Sequence, residues 1–156
     1  MLVTLTLVSD ISPLKGAPLK QLSLGNTAVA DISAARGAPL TDLDLSSTLV
    51  REISAVQGAP LASLHLHNSS VADISGLRGA PIKMLRLDNC RKLQDLSPLA
   101  ECRQLEYLTL PPQHKDIEFL RSLPNLKRVG YALPQGGWEL VPTPAGFWKA
   151  YDARKK

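Results

Sequence analysis

The chain has 156 residues, of which 44% are hydrophobic, 21% charged and only 4% aromatic, a balance that fits one globular or repeat domain and argues against disorder. Leucine alone supplies 28 residues against seven for Phe, Trp and Tyr together, yet no apolar run reaches the roughly 20 residues that span a bilayer. The net charge of +4 divides into −1 over residues 1–81 and +5 over 82–156, ending in Arg154, Lys155 and Lys156; a solvated tail accounts for it, and no aromatic platform interleaves with the basic residues, so nucleic acid is not an expected partner.

Met1 is followed by LVTLTLVSD, without a basic leader or a small-residue cleavage site. A soluble, cytoplasmic chain with no membrane engagement is the expectation. From there the sequence aligns on itself. Units begin at Leu19, Leu40 and Leu61, 21 residues apart; a fourth from Ile82 is two residues longer, a fifth from Leu105 restores the spacing, and a sixth from Leu126 dissolves after Tyr131. The opening segment joins the register when Val8-Ser9-Asp10-Ile11-Ser12 is matched to Val29-Ala30-Asp31-Ile32-Ser33. It is a repeat entered late.

Each unit opens L-x-x-L-x-L. Alternation puts Leu22 and Leu24 on one face and Gln21 and Ser23 on the other, which predicts a short strand buried on one side. One such strand buries too little alone. Stacked units bring Leu22, Leu43, Leu64, Leu85 and Leu108 above one another in a parallel sheet, with Ile32, Ile53, Ile74 and Leu96 as the opposite wall. Thr27, Thr48, Ser69 and Cys90 follow the strands at an inward position. The Ser of D-I-S (Ser33, Ser54, Ser75, Ser97) is expected to cap a short helical turn, and Gly-Ala-Pro to end it. The acids Asp31, Glu52, Asp73 and Asp95 are expected to stack on the outer side, relieved by Arg36, Arg51 and Arg78.

After residue 131 the pattern changes. Five of the seven aromatics fall beyond residue 130, namely Tyr131, Trp138, Phe147, Trp148 and Tyr151, and they read as a cap. Thr143-Pro144 is a helix-start pair, so a terminal helix over about 143–153 is predicted to lay its aromatic face over the last leucine layer. The organisation is therefore repeats over 1–131 and a cap with a short helix and basic tail over 132–156. No matching cap precedes Met1. The layer of Leu5, Val8, Ile11 and Leu14 is accordingly expected to be partly exposed in an isolated monomer: either the chain is cut from a longer array, or two copies abut at that edge as a homo-oligomer.

Four or five L-x-x-L-x-L blocks in register with D-I-S and G-A-P resemble the leucine-rich repeat family, most closely its short internalin-like bacterial type, over residues 1–131. The resemblance implies an α/β solenoid: a right-handed horseshoe segment with a parallel β-sheet on the concave face and short helical turns on the convex one. The family usually has Asn where this chain has Thr27, Thr48, Ser69 and Cys90, so the ladder of backbone bonds would here be made by hydroxyls and a thiol. Blocks such as VSDISPLKGAPL and LPNLKRVGY…FWKAYDA also look like the repeat regions that follow the catalytic domain in certain bacterial serine/threonine kinases. The chain has no Gly-rich nucleotide loop, His-Arg-Asp or Asp-Phe-Gly, so that resemblance implies a non-catalytic, recognition part.

Function should then lie in the outward columns of the sheet. One runs Gln21, Asp42, Ser63, Met84, Tyr107, Arg128; the next Ser23, Asp44, His65, Arg86, Thr109; a third Gly25, Ser46, His67, Asp88, Pro111. Asp42, Asp44, His65, His67, Met84, Arg86, Asp88, Tyr107 and Arg128 are the candidate binding residues, offering hot-spot chemistry to a protein or peptide on a rigid surface. His65 and His67 share a face, but no convergent third ligand or ordered second shell completes a metal site. No nucleophile is evidently paired with either, so no enzyme activity, metal or cofactor is expected. Cys90 and Cys102 lack zinc spacing and read as buried thiols.

Overall fold

The computed structural model describes residues 8–155. Six strands of three residues each, β1 (Gln21–Ser23), β2 (Asp42–Asp44), β3 (Ser63–His65), β4 (Met84–Arg86), β5 (Tyr107–Thr109) and β6 (Arg128–Gly130), pair in parallel in sequence order. The register places Leu22, Leu43, Leu64, Leu85, Leu108 and Val129 in one inward row. Strands this short suffice because each inner residue is covered by those of its neighbours: Leu64, Leu85 and Leu108 have no exposed surface. Ile32, Ile53, Ile74, Leu96 and Ile117 form the facing wall, so each coil encloses its own slice of a continuous core.

A 3₁₀ turn lies on the convex side of each coil up to the fifth, and its capping differs from expectation. Ser33, Ser54, Ser75 and Ser97 do not cap the turn; each is its first residue. The carboxylate two places earlier accepts the serine N–H instead, from Asp31 at 2.7 Å, Glu52 at 2.8 Å, Asp73 at 2.7 Å and Asp95 at 2.8 Å. An acid at that position closes a local turn more strongly than a hydroxyl would, because its charged oxygen is the better acceptor. The stacked acids are thus occupied by backbone donors, and Arg78 pairs with Glu101 at 2.8 Å.

The 3₁₀ segment then ends in a tight turn in which Ala38 N–H bonds Ala35 C=O at 3.1 Å, with Gly37 at φ +78°. Gly16, Gly58 and Gly79 repeat this, which is why the motif carries glycine. In the two coils lacking Gly-Ala-Pro the 3₁₀ segment lengthens to five residues, Ser97–Glu101 and Glu118–Ser122. Of the four interior ladder positions, Cys90 bonds across coils, its thiol donating to Leu66 C=O of the preceding coil at 3.0 Å, whereas the Thr27 and Thr48 hydroxyls each donate to a carbonyl of their own coil at 2.7 Å and the Ser69 hydroxyl accepts Val71 N–H at 3.4 Å.

Just before each ladder residue the backbone enters the left-handed region, at Asn26 (φ 59°), Ser47 (φ 55°), Asn68 (φ 60°) and Asn89 (φ 61°). Asn tolerates this conformation and serine much less so. The Asn89 side chain also donates to that of Asn68 at 3.0 Å, so asparagine in the Ser47 position would extend a row of amides. Ser47→Asn is expected to raise stability by about 0.5 kcal/mol, read as a higher urea midpoint with unchanged slope; an unaltered or lower midpoint contradicts it.

The C-terminal helix α1 spans Pro144–Ala153, with the Thr143 hydroxyl accepting Gly146 N–H at 3.4 Å. Phe147, Trp148 and Tyr151 are buried and continuous with the leucine core, covering the last coil. Trp138 does not join them. It belongs to a turn, Trp138–Leu140, that folds over the sheet side and meets Tyr107 edge-on at 5.4 Å between ring centroids. The chain between this turn and α1 runs beside β6, where Pro142 C=O accepts Val129 N–H at 3.1 Å. This segment covers the outer edge of β6 at that point.

Candidate concave recognition surface

The two strand columns stand as the spacing implies: Asp42 pairs with Ser63, Ser63 with Met84 and Met84 with Tyr107, while Asp44 pairs with His65 and His65 with Arg86. Their side chains are half-buried, as expected of groups standing side by side about 4.8 Å apart. Asp42 accepts from the Thr41 hydroxyl at 2.7 Å and from Gln21 at 3.5 Å. Asp44 accepts Ser46 N–H at 2.9 Å, and its other oxygen lies over Gly25, where a Cβ would come within 2.9 Å of it. With Gln21, Ser23, Ser63 and His65 these carboxylates line one shallow depression.

Arg86 is differently engaged. Spacing set it beside His65 and Asp44, but its guanidinium makes a two-pronged bond to Asp88, at 3.2 and 2.9 Å. Asp88 also accepts the Thr109 hydroxyl at 2.5 Å, and Thr109 accepts Leu87 N–H at 3.2 Å. Burial alone would push the Asp88 carboxyl up; the Arg86 and Thr109 bonds outweigh it and hold the group below the usual carboxylate range. Asp88 and Thr109 are buried, so this trio braces β4 against β5 and offers a partner only the flank of Arg86.

His67 lies next to the trio, with its ring centroid 6.2 Å from that of His65. Burial first, then the charge of Arg86, lowers its pKa, so the neutral ring is favoured; Nδ1 is buried without a hydrogen-bond partner among the described residues. Ser63 lies closer to a histidine than the spacing suggested, with its hydroxyl 3.5 Å from His65 Nε2. That is the outer limit of a hydrogen bond, on an open surface, and among the described residues no carboxylate hydrogen-bonds the ring to orient it. Among the described residues no group of three His, Cys, Asp or Glu side chains is placed to hold a metal ion. Burial pushes the Cys90 and Cys102 thiols up to about 11, which makes both poor nucleophiles at neutral pH.

Met84 and Tyr107 form the apolar half of the surface, bounded by Trp138 and by Arg128, which pairs with Glu139 at 3.2 Å. Leu140 on the same turn is 64% exposed. Sequence reasoning placed Trp138 in the cap and passed over Glu139 and Leu140; the Gly136-Gly137 pair, with Gly137 at φ +82°, was the available sign of a tight reversal before them. At the other end, Val8 is 37% exposed, Leu14 half-buried and Ile11 buried, while Leu5 lies outside the described residues. Among the described residues no helix is long and apolar enough to cross a membrane.

No protein-family model matches the chain, and no curated protein matches its sequence. Solved structures do. An internalin (inlF) from Listeria monocytogenes str. 4b F2365 superposes with a TM-score of 0.72 and 28% identity over 80% of this chain and 38% of that one. Internalin C2 (inlC2) from the same strain gives a TM-score of 0.56 and 26% identity over 79% of this chain and 66% of that one. The chain thus spans well under half of the first and just under two thirds of the second. Repeat spacing, sheet register and these two likenesses agree that the chain is an internalin-like leucine-rich repeat solenoid.

Proposed function

We propose that the chain is a non-catalytic protein-recognition module that binds a protein or peptide across its concave sheet. The observation that carries this reading is the row Asp42, Ser63, Met84, Tyr107, in which charged, polar, thioether and aromatic groups stand half-buried on consecutive strands with rigid backbone beneath. A preordered surface loses little conformational entropy on binding, and aromatic and Met side chains are favoured interface anchors. The test is cross-linked capture from native lysate with the wild-type chain and an Asp44→Lys, Tyr107→Ala double variant. Neither residue takes part in the Arg86–Asp88–Thr109 brace, so the fold is expected to survive. A partner held by the wild type and lost at least tenfold with the variant supports the reading; capture unaffected by the variant overturns it.

The kinase-like blocks support a narrower version, in which the chain is the recognition part beside a bacterial kinase domain in the cytoplasm. A native reading frame lacking a kinase-type Gly-rich loop and His-Arg-Asp motif on either side removes that version. A second reading, self-association at the first coil, draws on the exposed Val8 beside half-buried Leu14. Light scattering that gives a monomer across a wide concentration range excludes it.

A further inference from the structure

The concave sheet is unequal along its length, and the inequality specifies an occupant. At the β4–β6 end its charges are already matched: Arg86 with Asp88 at 2.9 Å and Arg128 with Glu139 at 3.2 Å. What that end presents is apolar, namely Met84, Tyr107 and the edge-on Trp138. On β2 the situation is reversed. Asp42 and Asp44 form no ion pair among the described residues and are held only by neutral donors, the Thr41 hydroxyl, the Gln21 amide and the Ser46 N–H. Those bonds fix both carboxylates in the depression without cancelling their charge.

Two residues apart on one strand, Asp42 and Asp44 have Cα atoms about 7 Å apart and side chains on the same face, a spacing that lets one guanidinium engage both. An acidic or nucleic-acid ligand would meet like charge there. Asp42 and Tyr107 occupy the same column on β2 and β5, three strand spacings or about 14 Å apart, which an extended chain covers in about four residues.

Resting on the concave-binding reading above, we propose that the occupant is an extended peptide carrying Lys or Arg about four residues from a bulky apolar side chain. The cation sits between Asp42 and Asp44, and the apolar group packs on Met84, Tyr107 and Trp138. The turn of residues Trp138–Leu140 stands beside the groove at its apolar end, so the anchor lies against a wall and the cation toward the N-terminal coils.

The experiment uses the whole chain and an array of synthetic peptides in a Gly/Ser frame, each with one Trp and one Arg, Gln or Glu at spacings from one to eight. Arg peptides with a spacing near four should bind at least tenfold better than their Glu counterparts. An Asp42→Asn, Asp44→Asn double variant, isosteric and checked for an unchanged urea midpoint, should lose that preference. Equal binding of Arg and Glu peptides, an Arg preference that survives in the variant, or no binding of any Arg peptide each overturns the proposal. Binding that needs Trp and Tyr107 but ignores the charge also overturns it, while leaving the concave-binding reading in place; failure of that reading shows instead in the capture experiment, as a partner indifferent to the concave substitutions.

Discussion

Trp148→Ala is expected to destabilise the solenoid by about 4 kcal/mol, the usual cost of emptying a buried indole site. Trp148 is 8% exposed, meets Phe147 edge-on at 5.0 Å and Tyr151 edge-on at 5.3 Å, and carries the Arg121 guanidinium 4.2 Å above its ring. Arg121 in turn bonds Asp152 of α1 at 2.5 Å and Glu118 of the fifth coil at 2.6 Å. Removing the indole therefore leaves a void under the helix and unseats the cation that ties the helix to the repeats. In a solenoid, where each coil is stabilised by its neighbours, loss of the cap weakens the last coils first. Hydrogen exchange should accelerate around Leu120 and Val129 before it does at Leu64. Trp138→Ala, on the half-exposed turn, should cost less than a third as much. Equal urea midpoints for the two variants would contradict the assignment of Trp148 to the cap and Trp138 to the recognition surface.

Asp88→Ala should cost about 3 kcal/mol, the range for removing one partner from a largely buried ion pair. The side chains of Arg86 and Asp88 are 17% and 10% exposed, so solvent does little to compensate the orphaned guanidinium, and the Thr109 hydroxyl loses its acceptor as well. The same group predicts an acid limb. Its folded pKa lies below the unfolded value, so its contribution is complete above the ordinary carboxylate value near 4 and is lost as pH falls through the folded value.

His67 adds a second window of the same sign. Its folded pKa is lowered, chiefly by burial, so as pH drops through the ordinary histidine range near 6.5 the unfolded chain takes up the proton first and stability declines. Urea midpoints measured from pH 8 to pH 3 should fall in two stages, the lower reduced in Asp88→Ala, where other lowered carboxylates such as Asp31 and Asp95 remain, and the upper absent in His67→Leu. A flat profile between pH 7 and pH 5 contradicts the placement of His67.

The repeating part of the fold was legible because it is written in period. Leucines at strand spacing recur every 21 residues, and that single regularity fixes the register that sets Leu43 on Leu64 and Asp44 beside His65. Positions of columns follow from period alone; pairings within them do not. Arg86 stands one strand from His65, yet a long side chain has several acceptors in reach, and the buried carboxylate of Asp88 offers it two bonds where its strand neighbours offer none. Likewise D-I-S marks the start of a turn without saying that the carboxylate rather than the serine hydroxyl does the capping. The C-terminal segment was half legible: Thr143-Pro144 announces α1, but Trp138 has no period to place it, and its packing on Tyr107 depends on a reversal at Gly136-Gly137 whose direction spacing does not encode.

The central claim, recognition through the concave sheet, is tested most directly by placing a photo-activated cross-linking side chain at one position at a time. Ser63 on β3 stands mid-way along the concave row, while exposed Arg36 lies on the convex side just after a 3₁₀ turn. Illumination in native lysate should give one dominant adduct from position 63 that is absent from position 36 and is displaced by excess unmodified chain. The same adduct from both positions, or from position 36 alone, contradicts the claim and moves the partner to the convex turns.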